Sequence, residues 1–256
     1  NDSQALKKAD IGVAMGITGT DVSKEVSEIV LTDDNFASIV SAIKYGRTVF
    51  NNIKSFVRYQ LSTNVAALCL MFSAPLLGMP LPLIPVQILW INIMIDGPPA
   101  LALGAEPPSN EEMKKKPRNS KAPFISQNLA LSIVLIGVAM AAVSLAVFYS
   151  YLSFSQEKAF TAVFTLFVFL QLFNALNCRS AQQSVLSRPF SNLYIYAAII
   201  VSLLLHMLIV YLPALQEIFK TVPLEPFDLA VIAGSAFLIV VIEEIKKKFF
   251  PLATAY

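Results

Sequence analysis

Charged residues are scarce in this chain of 256: Asp, Glu, Lys and Arg make up 14%, against 56% hydrophobic residues. Soluble domains carry about 25% charged residues, so the balance excludes an ordinary soluble protein and points to a membrane one. Lipid is therefore an expected partner, and nucleic acid is not. The net charge of +2 says little, because the charges are segregated along the chain. Two cysteines, Cys69 and Cys178, lie in apolar stretches with no CxxC and no nearby histidine. They read as small core residues, not as ligands or a disulfide. The lone histidine, His206, falls in another apolar run and reads as packed or hydrogen-bonded against a neighbouring helix. There is no initiator methionine, no signal peptide ahead of the first apolar stretch, and no internal repeat. The opening, NDSQALKKADIGVAMG, has the character of the middle of a domain, and predicts a chain that is the C-terminal part of something longer.

What is present is ordered along the chain. Residues 1–46 are of mixed polarity. DIGVAMG predicts a short buried strand running into a glycine turn, Thr20 and Asp21 can cap a helix through VSKEVSEIV, and EIVLTDD predicts a second strand ending in acids. DDNFASIVSAIKYGRTVFNNIKSFVRY is a long amphipathic helical pattern that runs straight into the first apolar stretch. Alternating strand and helix predict the edge of an α/β domain, joined to the membrane by a rigid helix. Residues 47–256 then hold six apolar stretches, at about 56–77, 84–104, 128–152, 159–178, 191–213 and 227–245. Each is near the roughly 20 residues that a spanning helix needs. The fold class predicted is a mainly α membrane protein with six spans.

Loop charges set the orientation. Lys114, Lys115, Lys116, Arg118 and Lys121 lie between spans two and three, Arg179 and Arg188 between four and five, and Lys246, Lys247 and Lys248 after six. The opposite loops hold only Lys158 and Lys220. Positive residues favour the cytoplasmic side, so both termini of this chain are predicted to be cytoplasmic.

Asp96 is the most informative residue. It lies near the middle of IPVQILWINIMIDGPPALALG, and it is the one acid between Asp34 and Glu106. A carboxylate in hydrocarbon costs roughly 2.5–3.5 kcal/mol on insertion scales, so it needs a cation or a partner. Asn92 lies four residues earlier, on the same face of an α-helix. Gly97-Pro98-Pro99 follows, so the helix is expected to break beside the acid and to free backbone carbonyls. A carboxylate with amide oxygens is a hard-cation set, suited to Ca²⁺, Mg²⁺, Mn²⁺ or alkali ions, though too small for a whole Ca²⁺ site of six to eight oxygens.

Other polar residues in the spans carry weaker signals. Asn64 sits beside Ser62 and Thr63, where helix–helix adhesion and ion ligation are both open readings. Gln171, Asn174 and Asn177 recur at three-residue steps as a stripe facing protein, and read as adhesion. Gln87 is a weak ligand candidate. Glu243 and Glu244, beside the terminal lysines, read as solvated.

These residues also resemble a known family. NDSQALKKADIGVAMGITGTDVSKEVSEIVLTDDNFASIVSAIKYGR resembles the end of the phosphorylation domain of P-type cation ATPases, where the stretch begins with GDGxND. ILWINIMIDGPPALALGAEPP resembles the sixth membrane helix of calcium pumps, and FNALNCRS their eighth. The likeness covers almost the whole chain and is nearest to secretory-pathway and plasma-membrane types with their bacterial relatives. It implies that residues 1–46 are a remnant of the cytoplasmic, haloacid-dehalogenase-like phosphorylation domain and that 47–256 are helices five to ten of the transport domain. It implies Asn1 near the phosphates of ATP, Asp2 supporting the Mg²⁺ cluster, and Asn92 and Asp96 as ligands of the transported Ca²⁺, with Asn64 a lesser one. A Glu from an absent fourth helix would complete the site.

Three departures bear on stoichiometry. Two-site reticulum pumps carry Glu, Thr and Glu at the positions of Ala67, Ile95 and Gln171 here. All three changes strip oxygen charge from the same second site, which implies one Ca²⁺ per cycle, with Mn²⁺ as the second choice of ion. The phosphorylatable Asp of DKTGT is absent from these 256 residues. The parent is thus expected to be an ATP-driven pump in a bacterial plasma membrane or a eukaryotic secretory or plasma membrane, and this stretch alone inactive. The alternative is a non-enzymatic six-span channel or carrier subunit.

Overall fold

A computed structural model describes residues 2–114, 116–118, 121–180, 184–187 and 189–249. Asn1, Lys115 and Arg188, named above, lie outside the described residues. The fold divides into two compact units, one within 1–49 and 108–115, the other within 50–107 and 116–256.

In the first unit, helix α1 (Ser3–Lys8) precedes strand β1 (Val13–Met15), helix α2 (Asp21–Val26) and strand β2 (Ile29–Leu31). The strands pair in parallel with Val13 opposite Ile29 and Met15 opposite Leu31, which requires a crossover, and α2 lies in that connection. Thr20 caps α2 by accepting from the Ser23 amide at 3.3 Å. The following TDDN turn closes back on the strands. Asp34, at φ 49°, accepts from the Ile17 and Thr18 amides, each at 2.8 Å. Acids tolerate this left-handed backbone when their side chain is bonded locally. Asn35 then accepts from the Ala37 amide at 2.9 Å and opens helix α3 (Ala37–Leu76).

Helix α3 is 40 residues long, as the unbroken amphipathic pattern requires. It ends where Gly78, at φ 76°, lets Met79 donate to the Ala74 carbonyl at 2.9 Å. In the second unit, α4 (Pro85–Trp90), a π-helical turn (Ile91–Ile95) and α5 (Gly97–Gly104) form one 20-residue span. Helices α6 (Gln127–Leu152), α7 (Gln156–Cys178), α8 (Leu193–Tyr211), α9 (Pro213–Phe219) and α10 (Pro226–Phe249) complete it. The apolar window of α7 is 78% buried against 28% for α8 and α10, so α7 is the central post and the others its shell. Phe164, Phe167 and Leu170 of α7 pack with Leu70, Ile95 and Met140 in one core.

Five helices among the described residues are long and apolar enough to cross a membrane. The stretch 56–77 is the end of α3 and is not one of the five. Arg58, Gln60 and Asn64 dilute its apolar character.

Candidate ion site at Asp96

The local sequence around Asp96 builds a π turn where a break was expected. Asp96 donates its amide to the Ile91 carbonyl, five residues back, at 2.9 Å, and Ala100 donates to the Asp96 carbonyl at 3.1 Å to restart α-helix. Pro98 and Pro99 have no N–H, so the Met94 and Ile95 carbonyls lose their ordinary donors. The wider turn nevertheless keeps one continuous span. Such turns recur at functional sites.

The Asp96 side chain is 1% exposed. Its two oxygens are both taken by α3: the Tyr59 hydroxyl donates to Oδ1 at 3.0 Å, and the Gln60 amide donates to Oδ2 at 3.3 Å. Tyr59 is itself fully buried and Gln60 half-buried. The Tyr59 carbonyl in turn accepts from Ser62 Oγ at 3.0 Å and Thr63 Oγ1 at 2.9 Å. This stretch of α3 is thus tied to itself as well as to the acid. Tyr59 and Gln60 were not singled out from sequence. The available signal was their place at the head of YQLSTN, the polar run that interrupts an apolar stretch.

Asn92 and Asn64 both present exposed side chains. The α-helical spacing that would align Asn92 with Asp96 does not hold through the π turn. Among the described residues no group of three or more His, Cys, Asp or Glu side chains is placed to hold a metal ion. Within these residues Asp96 is a lone carboxylate among neutral polar groups, and its oxygen donors are of the kind that suits a hard ion.

The remaining polar residues sort clearly. Asn174 donates to Ser62 at 2.8 Å and Asn177 to the Ile239 carbonyl at 3.1 Å, so both join helices as expected. Gln171 is fully buried with no partner for either polar atom. His206 bonds Thr165 of α7 at 3.1 Å. Gln87 donates to the Phe219 carbonyl at 2.9 Å and accepts from the Ile84 amide, which makes it a cap and a tie to α9. The reading of Glu243 as solvated is wrong. It is fully buried, paired with Arg58 of α3, and has Lys246 at 2.6 Å. The neighbouring lysines suggested water, but Lys246 and Lys247 turn inward with it and only Lys248 stays exposed.

Membrane-length helices that enclose buried, hydrogen-bonded acids, Asp96 among them, define an integral membrane protein. Residues 80–249 match the family described as cation transporting ATPase, C-terminus, and the chain belongs to that family. It is 46% identical over 242 residues to a calcium-transporting ATPase of Bacillus subtilis, covering 91% of this chain and 27% of that protein. It is 44% identical over 251 residues to the mouse calcium-transporting ATPase type 2C member 1, covering 97% and 27%. A calcium-transporting ATPase of Plasmodium falciparum is 39% identical, covering 96% and 24%. The chain thus spans about a quarter of the length of the curated relatives it matches.

Proposed function

We propose that this chain is the membrane part of an ATP-driven pump that moves Ca²⁺ out of the cytoplasm, one ion per cycle, with Mn²⁺ as an alternative cargo. The observation that carries this reading is the buried Asp96 at a π turn, in a chain of this family whose relatives are calcium-transporting ATPases.

In this reading Asp96 supplies the charge that makes a cation stable at mid-membrane. Asn92 and Asn64 supply amide oxygens, and the carbonyls left without donors by Pro98 and Pro99 add to them. The exposed faces of Asn64 and Asn92 are covered by the N-terminal remainder of the same pump, which brings further ligands. A single site is supported by apolar Ile95 beside the acid and by Ala67, neither of which offers a side-chain oxygen.

The end of α3 is the first of six spans, and both ends of the chain face the cytoplasm, since the lysines and arginines gather on that side. Residues 1–46 are the end of the phosphorylation domain, whose parallel strands and helices fit an α/β edge. Asp2 is exposed at the start of α1, where a carboxylate can support Mg²⁺; a role for Asn1 at the ATP phosphates rests on the family resemblance alone. The phosphate acceptor is not in these 256 residues, so hydrolysis needs the remainder of the pump. A channel or carrier would have no use for that first unit.

Counting radioactive Ca²⁺ bound per phosphorylation site in the full-length protein tests the proposal. One ion per site is expected, and two would sink the stoichiometry.

A further inference from the structure

Tyr59 and Gln60 are consecutive residues of α3, and each donates to a different oxygen of Asp96. The carboxylate is thereby drawn toward α3, while the amides of Asn64 and Asn92 stand exposed. If Asp96 shares one ion with those amides, as the pump reading holds, its oxygens must first turn from their two donors. The Tyr59 bond is the firmer of the two, at 3.0 Å from a fully buried ring. The Gln60 bond is longer, at 3.3 Å, from a half-buried side chain whose end can rotate and which water can replace. A bond to a carboxylate at that length is the one that yields first.

We infer that Gln60 is a positioning residue that holds the Asp96 carboxylate against α3 in the ion-free protein, and so sets how much cation is needed to fill the site. The carboxamide acts as a competing donor and is not itself an ion ligand. A cation that draws the carboxylate away from α3 breaks this contact, so weakening it favours the bound state. The inference rests on the pump reading above, and adds a residue to it that neither composition nor spacing marks.

The test uses the full-length pump, with Gln60→Leu and the more flexible Gln60→Met as independent variants. Both remove the donor and keep a side chain of similar bulk. The Ca²⁺ concentration for half-maximal phosphorylation from ATP is expected to fall by roughly three- to tenfold, as for loss of one hydrogen bond of ordinary net strength, which suits the long Gln60 contact. The Ca²⁺ concentration that suppresses phosphorylation from inorganic phosphate should fall by the same factor, since both report one binding equilibrium. A damaged fold lowers the amount of phosphoenzyme but does not tighten Ca²⁺ binding. A rise in the half-maximal concentration would make Gln60 an ion ligand, and no change would make its contact incidental; either overturns the inference. Absence of Ca²⁺-dependent phosphoenzyme in the unsubstituted protein would instead defeat the pump reading.

Discussion

Arg58 of α3 and Glu243 of α10, 185 residues apart in sequence, form an ion pair sealed inside the helical bundle. Their side chains are 3% and 0% exposed. Lys246, 2.6 Å from the same carboxylate, also donates to Ser132 of α6 at 2.5 Å, so three helices meet at one acid. Arg58 immediately precedes Tyr59, so the ion pair and the bond to Asp96 bear on neighbouring residues of α3.

Glu243→Gln should therefore be costly. It leaves Arg58 and Lys246 as buried cations without an anion, and breaking such a pair from one side costs about 3–5 kcal/mol. Thermal unfolding in detergent should show a large drop. Replacing Arg58 and Glu243 together by leucine should lose less than the sum of the single changes. Additive losses would contradict the pairing.

At Gly137, α6 passes close to α3. A Cβ there would stand 2.6 Å from Val65 Cγ1 and 2.9 Å from the Ser62 carbonyl oxygen of α3. Small residues permit such approach between membrane helices. Gly137→Ala must push α6 from α3, at about 1–3 kcal/mol for an overpacked contact. A lowered unfolding temperature checks this, and an unchanged one would mean that the helices are not so close.

Glu106, just past α5, accepts from Arg179 Nη2 at 2.9 Å and Nε at 3.3 Å, and from Asn192 Nδ2 at 2.8 Å. Asn192 also donates to the Ala102 carbonyl, so the end of the Asp96 span is tied to α7 and α8. Lysine cannot make the two-pronged contact, and Arg179→Lys should cost about 1–2 kcal/mol. Equal stability of the lysine variant would show that one prong suffices.

In the first unit, Asp34 sets an acid limit. The Ile17 amide, then the Thr18 hydroxyl and amide, hold its carboxyl below its ordinary 3.8. A depressed value in the folded state gives stability that is present above the unfolded value and lost as pH falls through the folded one. The turn at 16–18 should thus keep its order through mildly acid pH and open only below the ordinary carboxylate range. Hydrogen exchange of the Thr18 amide follows this directly, and Asp34→Ala should show the open behaviour already at neutral pH. Protection that ignores both pH and the substitution would refute it.

Much of this architecture is legible locally. The run from Ala37 to Leu76 keeps one helical pattern, the short strands sit where DIGVAMG and EIVLTDD place them, and a mid-span acid stands out whatever its neighbours. Pairings between distant helices are not legible in that way. Nothing near Tyr59 or Gln60 indicates that they meet Asp96, and nothing near Glu243 indicates Arg58. Glu243 was misread because three lysines follow closely, and local charge does not reveal which way side chains turn. Gly97-Pro98-Pro99 shows which donors are missing, but not that a π turn would keep the span whole. Polar groups in an apolar run mark where contacts form; only the packing shows with what.

The central claim is that Asp96 holds a transported cation. Its most direct test is phosphorylation of the full-length protein from ATP, with and without Ca²⁺, for the unsubstituted protein and Asp96→Asn. The account predicts a Ca²⁺-dependent phosphoenzyme that the substitution abolishes, while phosphorylation from inorganic phosphate without Ca²⁺ survives. Unchanged Ca²⁺ activation in Asp96→Asn would remove Asp96 from the ion site and contradict the account.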